Sequence, residues 1–399
     1  MIADGDRLAR IALGHLVEPG SRELGALVRG IGAAAALARL LDGGVSERLA
    51  GAVATRLAAG RVQVAAGAAL ATKLQSAAGL AEAALRQADR LGARILTPGD
   101  ADWPAQLSHL ARISREGNGP VDRDTDPPLI LWARGPARLD EALDRSVAIV
   151  GARAATGYGH HVATDLAYGL AERGWTVVSG GAFGIDAAAH RAALHAGGGT
   201  AAVLACGIDR PYPLAHTSLF ERIAEDGLLL SEWPPEAAPH RQRFLTRNRV
   251  IAALTRGTVV VEAAARSGAR QTLGRARRLG RPAMVVPGPV TSALSAGCHA
   301  ELRDFECRVV TSVAEVIEEV GRIGELAPTS RGPDRPHDAL DPLAARVLDA
   351  VLPRRVRTAE EIAVAAGVSG RDARRTLPML ESVGFVVAHG DGYRLGRPR

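Results

Sequence analysis

Between residues 90 and 325, short apolar, β-branched runs recur, each closed by glycine and followed by a stretch with helical spacing. This alternation constrains the chain more than any other feature. Strand-then-helix repeats bury their strands only in a parallel sheet covered by helices on both faces. The predicted strands are Ser146–Val150, Thr176–Ser179, Thr200–Leu204, Leu228–Ser231, Thr258–Glu262, Pro282–Val286 and Cys307–Val310. Helices such as Gly159–Arg173 and Ile185–Ala196 lie between them. The fold class is therefore α/β, an extended Rossmann-like domain over residues 91–325 with a mainly parallel sheet.

The flanks differ in texture, and 399 residues leave room for two or three folded units. Residues 1–90 are rich in Ala, Leu and Arg with helix-spaced apolar positions and no strand pattern, which predicts an all-α N-terminal module. Its "VRGIGAAAALARLL" is compatible with a SAM-like or helix-hairpin-helix turn, whose backbone amides can meet a DNA phosphate, but Gly-broken, Ala-rich helices are common and usually just pack. Residues 326–340 hold three prolines without periodicity and read as a linker. Residues 341–399 run helix, helix, helix, then two short strands around a glycine turn, the order of a winged helix.

The chemistry concentrates at strand ends. "VAIVGARAATGYG" and "VVSGGAFGIDAAAH" each place glycines between a strand and a helix, where ligands of open α/β sheets bind. Unpaired helix-start amides and the positive dipole end favour an anion there, and small glycines admit a phosphate. Gly151, Arg153, Ser179, Gly180, Gly181 and Gly184 are the candidates, with Arg153 able to grip bidentately. Neither loop has the G-x-G-x-x-G spacing of a dinucleotide site. A third segment, "HRQRFLTRNRVIAALT", crowds Arg241, Arg243, Arg247 and Arg249 around Phe244 and Asn248, a density of like charge that calls for an anion between them. Such a run also arises as a solvated helix start in an arginine-rich chain. A fourth, "TVVVEAAARSGARQT", ends a strand with Glu262 and opens a helix at Ser267 and Gly268.

Several classes are excluded. Of 49 Lys plus Arg, only Lys73 is lysine, and it sits in an Ala-rich run, so neither a phosphate-binding Walker loop nor a Schiff-base site is available. Thirteen aromatics are too few for a multi-ring base platform. Cys206, Cys298 and Cys307 form no Cys-x-x-Cys pair, and His160, His161 and His299 lack metal-ligand spacing. No cofactor, metal or membrane span is expected, and the cytoplasm fits. Asp186 and His190 stand four apart on one helix face, a pair that is usually structural; Glu262 is the one carboxylate facing the crevice, and no catalytic residue is assigned. The net charge of +6 permits nucleic-acid attraction without proving it. In the C-terminal unit, Arg371, Arg374 and Arg375 lie opposite the apolar stripe Ala373, Leu377 and Leu380, which suits DNA contact, although Pro378 should kink or shorten that helix.

In order, "WPAQL", "PPLILWARG", "VAIVGARAATGYG", "VVSGGAFGIDAAAHRAAL", "AVLACGIDRPYP", "LLLSEWPP", "FLTRNRVIAALT", "VVVEAAARSGARQT" and "VVPGPV" resemble the DprA/Smf family of DNA-processing proteins across roughly residues 95–320. The resemblance implies a non-enzymatic, homodimeric single-stranded-DNA binder that serves recombination and natural transformation. It implies that such a protein loads RecA onto the strand, often displacing single-strand binding protein. Arg153 matches the arginine of the family's Gly-Ser-Arg loop, and Arg247, Asn248 and Arg249 match its Arg-Asn-Arg motif. Ala152 replaces the usual serine. Phe183 stands where many relatives carry Lys or Arg, and is a candidate for stacking on a base; His299 stands where Asn is common. Two alternatives remain at this level: a Rossmann-like nucleoside-monophosphate phosphoribohydrolase using Glu262, whose Pro-Gly-Gly-x-Gly-Thr loop is absent, and a winged-helix transcription regulator.

Overall fold

The computed structural model describes residues 4–58, 69–113, 125–322, 340–353 and 355–396. Among the described residues, five helices come first: α1 (Asp4–Leu16), α2 (Arg22–Ile31), α3 (Ala33–Asp42), α4 (Glu47–Ala58) and α5 (Leu70–Arg90). Their stripes of Leu and Ala close a core that also contains Trp132, Leu204 and Phe220 from the following segment. Helices and sheet therefore share one compact unit, Met1–Ala327.

The sheet opens with β1 (Ala93–Leu96) and β2 (Leu131–Arg134), then alternates with helices: α6 (Leu139–Asp144), β3 (Ser146–Val150), α7 (Gly157–Glu172), β4 (Thr176–Ser179), α8 (Ile185–His195), β5 (Thr200–Val203), α9 (Thr217–Asp226) and β6 (Leu228–Ser231). It continues through α10 (Arg241–Leu254), β7 (Gly257–Val260), α11 (Gly268–Arg278), β8 (Ala283–Val285), α12 (Ala296–Asp304), β9 (Arg308–Val309) and α13 (Val313–Val320). The nine strands lie in the order β1-β2-β6-β5-β4-β3-β7-β8-β9. From β6 to β9 all neighbours are parallel, and β3 to β8 are buried throughout, which is why their sequences are unbroken apolar runs. The α/β expectation holds, with two amendments. An antiparallel pair, β1 and β2, extends the sheet beyond β6. The last strand, β9, is shorter than Cys307–Val310 and exposed, because it is an edge with a neighbour on one side only.

The order has a functional consequence. Strands β4, β5 and β6 build outward from one side of β3, while β7, β8 and β9 build from the other. Where β3 and β7 meet, their carboxyl-end loops diverge and leave a crevice.

Pro328–Arg399 form a second compact unit; the predicted linker at 326–340 falls outside the described residues up to 339. It contains α14 (Pro342–Asp349), β10 (Arg357–Thr358), α15 (Ala359–Ala366), α16 (Gly370–Ser382), β11 (Val386–His389) and β12 (Gly392–Leu395), with the strands ordered β10-β12-β11. This is a winged helix with one strand more than the sequence suggests. Ala344, Val347, Ile362, Leu377 and Leu380 form its core. α16 runs through Pro378 to Ser382, so the proline does not end it.

Candidate nucleic-acid interface

The crevice at the β3/β7 switch is a groove of about 1070 Å³. Six guanidinium groups line it (Arg153, Arg241, Arg247, Arg266, Arg270 and Arg277) against two carboxylates, Asp186 and Glu301. Arg153 and Arg247, on which a single polyanion site depends, lie on the same groove, together with Gly151, Asn248, Ser267 and Gly268.

Helical geometry sorts the arginine-rich segment. On α10 the positions 241, 244, 245, 248 and 251 share one face, and all five line the groove. Arg249 is turned away from that face: it is fully buried and pairs with buried Glu232 at 2.7 Å. Arg243 also leaves the groove, pairing with Glu18 at 2.6 Å and lying over Trp233. Both are corrections to the candidate phosphate contacts, since neither guanidinium is on the groove wall. Arg247 borders the groove but is itself buried; its Nη1 donates to the carbonyl oxygens of Gly180, at 2.9 Å, and Val203. Burial pushes its pKa down to about 10, still well above neutrality.

The glycine loops are built differently from the expectation. The amides of Gly180 and Ala182 donate to Asp186 Oδ2 at 3.2 and 3.4 Å, so a carboxylate of the chain already occupies the pocket read as a phosphate cradle. Burial raises the Asp186 pKa, opposed by Arg247 and those amides. A Cβ at Gly180 would run into the Arg247 guanidinium, and one at Gly181, with φ of 71°, into Phe220. Gly184, with φ of 74°, lies against the carbonyls of Ala152 and Arg153, and Gly151 against Ile185 and the carbonyl of Glu262. These glycines let three loops close on one another. Ser179 is buried and donates to the Ile149 carbonyl at 2.6 Å. Ser179, Gly180, Gly181, Phe183 and Gly184 thus lie behind or beside the groove and not on its wall. Phe183 is 46% exposed, with its ring edge-on to His216 at 4.5 Å.

Three guanidiniums remain open. Among the described residues no carboxylate pairs with Arg153, Arg241 or Arg266, and all three are exposed. By contrast, buried Glu301 holds Arg270 and Arg277 at 2.6 and 2.7 Å. Arg153 lies over the Phe244 ring, 5.1 Å from its centroid, and Phe244 meets Tyr212 edge-on at 5.9 Å. Cation and rings together make a surface that can take a phosphate and a base side by side. Ser267 caps α11 by accepting from Ala269 N at 3.3 Å. Arg266 and Tyr212 were missed by sequence reasoning; Arg266 had a signal, since it immediately precedes that helix start.

Glu262 is fully buried and accepts from Thr156 N at 2.9 Å and Thr156 Oγ1 at 2.6 Å. It locks the start of α7 instead of facing a substrate. His190, also fully buried, contacts Thr200 Oγ1 at 2.8 Å, and burial lowers its pKa to about 3. Burial raises Cys206 and Cys298 to about 11, so neither thiol is activated. No group of His, Cys, Asp or Glu suited to a metal ion occurs among the described residues, and no helix among them is long and apolar enough to cross a membrane. On α16 of the second unit, Arg371, Arg374 and Arg375 are exposed, with Arg374 paired to Glu360 at 2.9 Å.

Fold and groove together define a Rossmann-like protein whose switch-point crevice is lined mainly by guanidinium groups. Residues 94–321 match the family model of the DNA recombination-mediator protein A, and the chain belongs to that family. A DprA-type protein of Mycobacterium tuberculosis is 44% identical over 386 residues, covering 96% of this chain and 93% of that protein. The protein Smf of Escherichia coli is 34% identical over 277 residues, covering 67% of this chain and 72% of its own length. The X-ray structure of DNA processing protein A from Streptococcus pneumoniae superposes with a TM-score of 0.60 at 28% identity, covering 81% of this chain and 100% of that one.

Proposed function

We propose that this recombination mediator binds single-stranded DNA in the β3/β7 groove, protects it and loads RecA onto it, without catalysing a reaction itself. The observation that carries the reading is the groove in which three guanidiniums, paired with no carboxylate among the described residues, accompany the Phe244–Tyr212 rings. Arg153, Arg241 and Arg266 would hold phosphates, with Arg247, Asn248, Ser267 and Gly268 shaping the wall between them. A flexible strand can follow such a wall and stack a base, giving tight binding with little sequence preference. A homodimer would carry two grooves and gain avidity, a cytoplasmic setting fits, and displacement of single-strand binding protein follows if both compete for the same strand. The hydrolase alternative loses support because Glu262 is spent on Thr156.

The test is a competition series in which labelled oligo-dT is challenged with unlabelled single strand, duplex and AMP. Preference for single strand and no base released from AMP supports the reading. Release of adenine would return the enzyme. A duplex preference that Arg371→Ala/Arg375→Ala abolishes would make the winged helix the primary reader.

A further inference from the structure

The first turn of α10 carries Arg241 and Phe244 into the groove, yet its N-cap, His240, makes no side-chain capping bond. Something else must fix that helix start. Glu18, in the loop between α1 and α2, reaches the side chains that flank it. Its carboxylate accepts from Trp233 Nε1 at 2.8 Å and from Arg243 Nη2 and Nε at 2.6 and 3.2 Å, and His240 Nε2 lies 3.9 Å away. Arg243 in turn donates to the Ala238 carbonyl at 2.7 Å and rests on the Trp233 ring. Side chains from both ends of the segment 233–243 thus converge on one carboxylate of the N-terminal helices. Pro239, His240, Arg241 and Phe244, on the groove wall, belong to or adjoin that segment.

We propose that Glu18 is a positioning residue for the groove: it clamps the segment before α10 so that Arg241 and Phe244 are presented to the nucleic acid, and thereby makes the N-terminal helices a working part of the binding site. The proposal rests on the single-strand reading above. It makes a prediction opposite in sign to simple electrostatics. Removing a carboxylate near a polyanion site strengthens attraction, whereas releasing the clamp leaves Arg243 buried without its counter-charge and the segment loose, which weakens binding.

The full chain is compared with Glu18→Ala and Glu18→Gln by anisotropy of labelled oligo-dT at 0.1 M salt, with tryptophan emission and thermal unfolding recorded alongside. Arg29→Ala, which breaks a different ion pair of the same helices (Arg29–Asp126, 2.6 Å), is the stability control. The expected result is about tenfold weaker binding for Glu18→Ala, equivalent to about 1.4 kcal/mol. Glu18→Gln should fall between, with altered tryptophan emission in both and Arg29→Ala binding within twofold of the parent. If Glu18→Ala does not fold, Glu18→Gln carries the test against the same control. Unchanged or tighter binding overturns the proposal, as does an equal loss in Arg29→Ala, which would make the effect general destabilisation. If the parent chain itself does not bind oligo-dT, the single-strand reading falls and the clamp with it.

Discussion

The three open guanidiniums allow the salt dependence of binding to be worked out before it is measured. Each phosphate neutralised on a single strand contributes about −0.7 to the slope of log K against log salt, through release of condensed counterions. With Arg153, Arg241 and Arg266 as contacts, the slope should be about −2, and raising salt from 50 to 200 mM should weaken binding roughly 20-fold. Arg270 and Arg277 do not enter this count because Glu301 already neutralises part of their charge. Replacing any one of the three by Ala should cut the same salt effect to roughly sevenfold, and cost about fivefold in Kd at 0.1 M salt. The triple variant should lose roughly a hundredfold and bind almost independently of salt. Arg249→Ala, by contrast, should leave the slope unchanged, since that guanidinium faces Glu232 inside the fold. The assay is equilibrium anisotropy with oligo-dT across a salt series. A parental slope near zero, or a triple variant with the parental slope, would refute the assignment of phosphate contacts to this groove.

Removing one partner of the buried Arg249–Glu232 pair leaves an uncompensated charge, so Arg249→Ala should cost about 3–5 kcal/mol in urea unfolding; a loss below about 1 kcal/mol would mean water reaches the site. Phe244→Ala should weaken oligo-dT binding by about 1–3 kcal/mol, and unchanged affinity would remove the ring from the site. Phe183→Ala, measured beside it, tests the separate proposal that this exposed ring stacks on a base. His190 is held neutral by burial while its unfolded counterpart protonates near the ordinary value. Its contribution is therefore complete above about pH 6.5 and is lost at about 1.4 kcal/mol per pH unit as the solution falls from there toward pH 3. Compared with the parent, His190→Asn should show a shallower loss in that window, and parallel pH profiles would contradict the depressed pKa.

Much of this architecture is legible without coordinates. Strand-then-helix alternation sets the α/β class, because apolar runs such as Ser146–Val150 can be buried on both faces only inside a helix-covered sheet. The antiparallel strands β1 and β2 escape because a lone short run, such as Leu131–Arg134, carries no periodicity that reveals its neighbour or direction.

The candidate site divides along the same line. Residue type and local order identify the arginine-rich segment and the glycine loops as places where charge and close packing matter, and both are decided within a few residues of chain. What each group faces is decided by partners far away in sequence. Arg249 is taken inward by Glu232, Arg243 is buried against Glu18 away from the groove, and the Gly180 and Ala182 amides are claimed by Asp186. An arginine looks the same in sequence whether it ends on a carboxylate or on an open wall; only the tertiary fold brings that carboxylate within 3 Å or leaves the guanidinium to a passing polyanion.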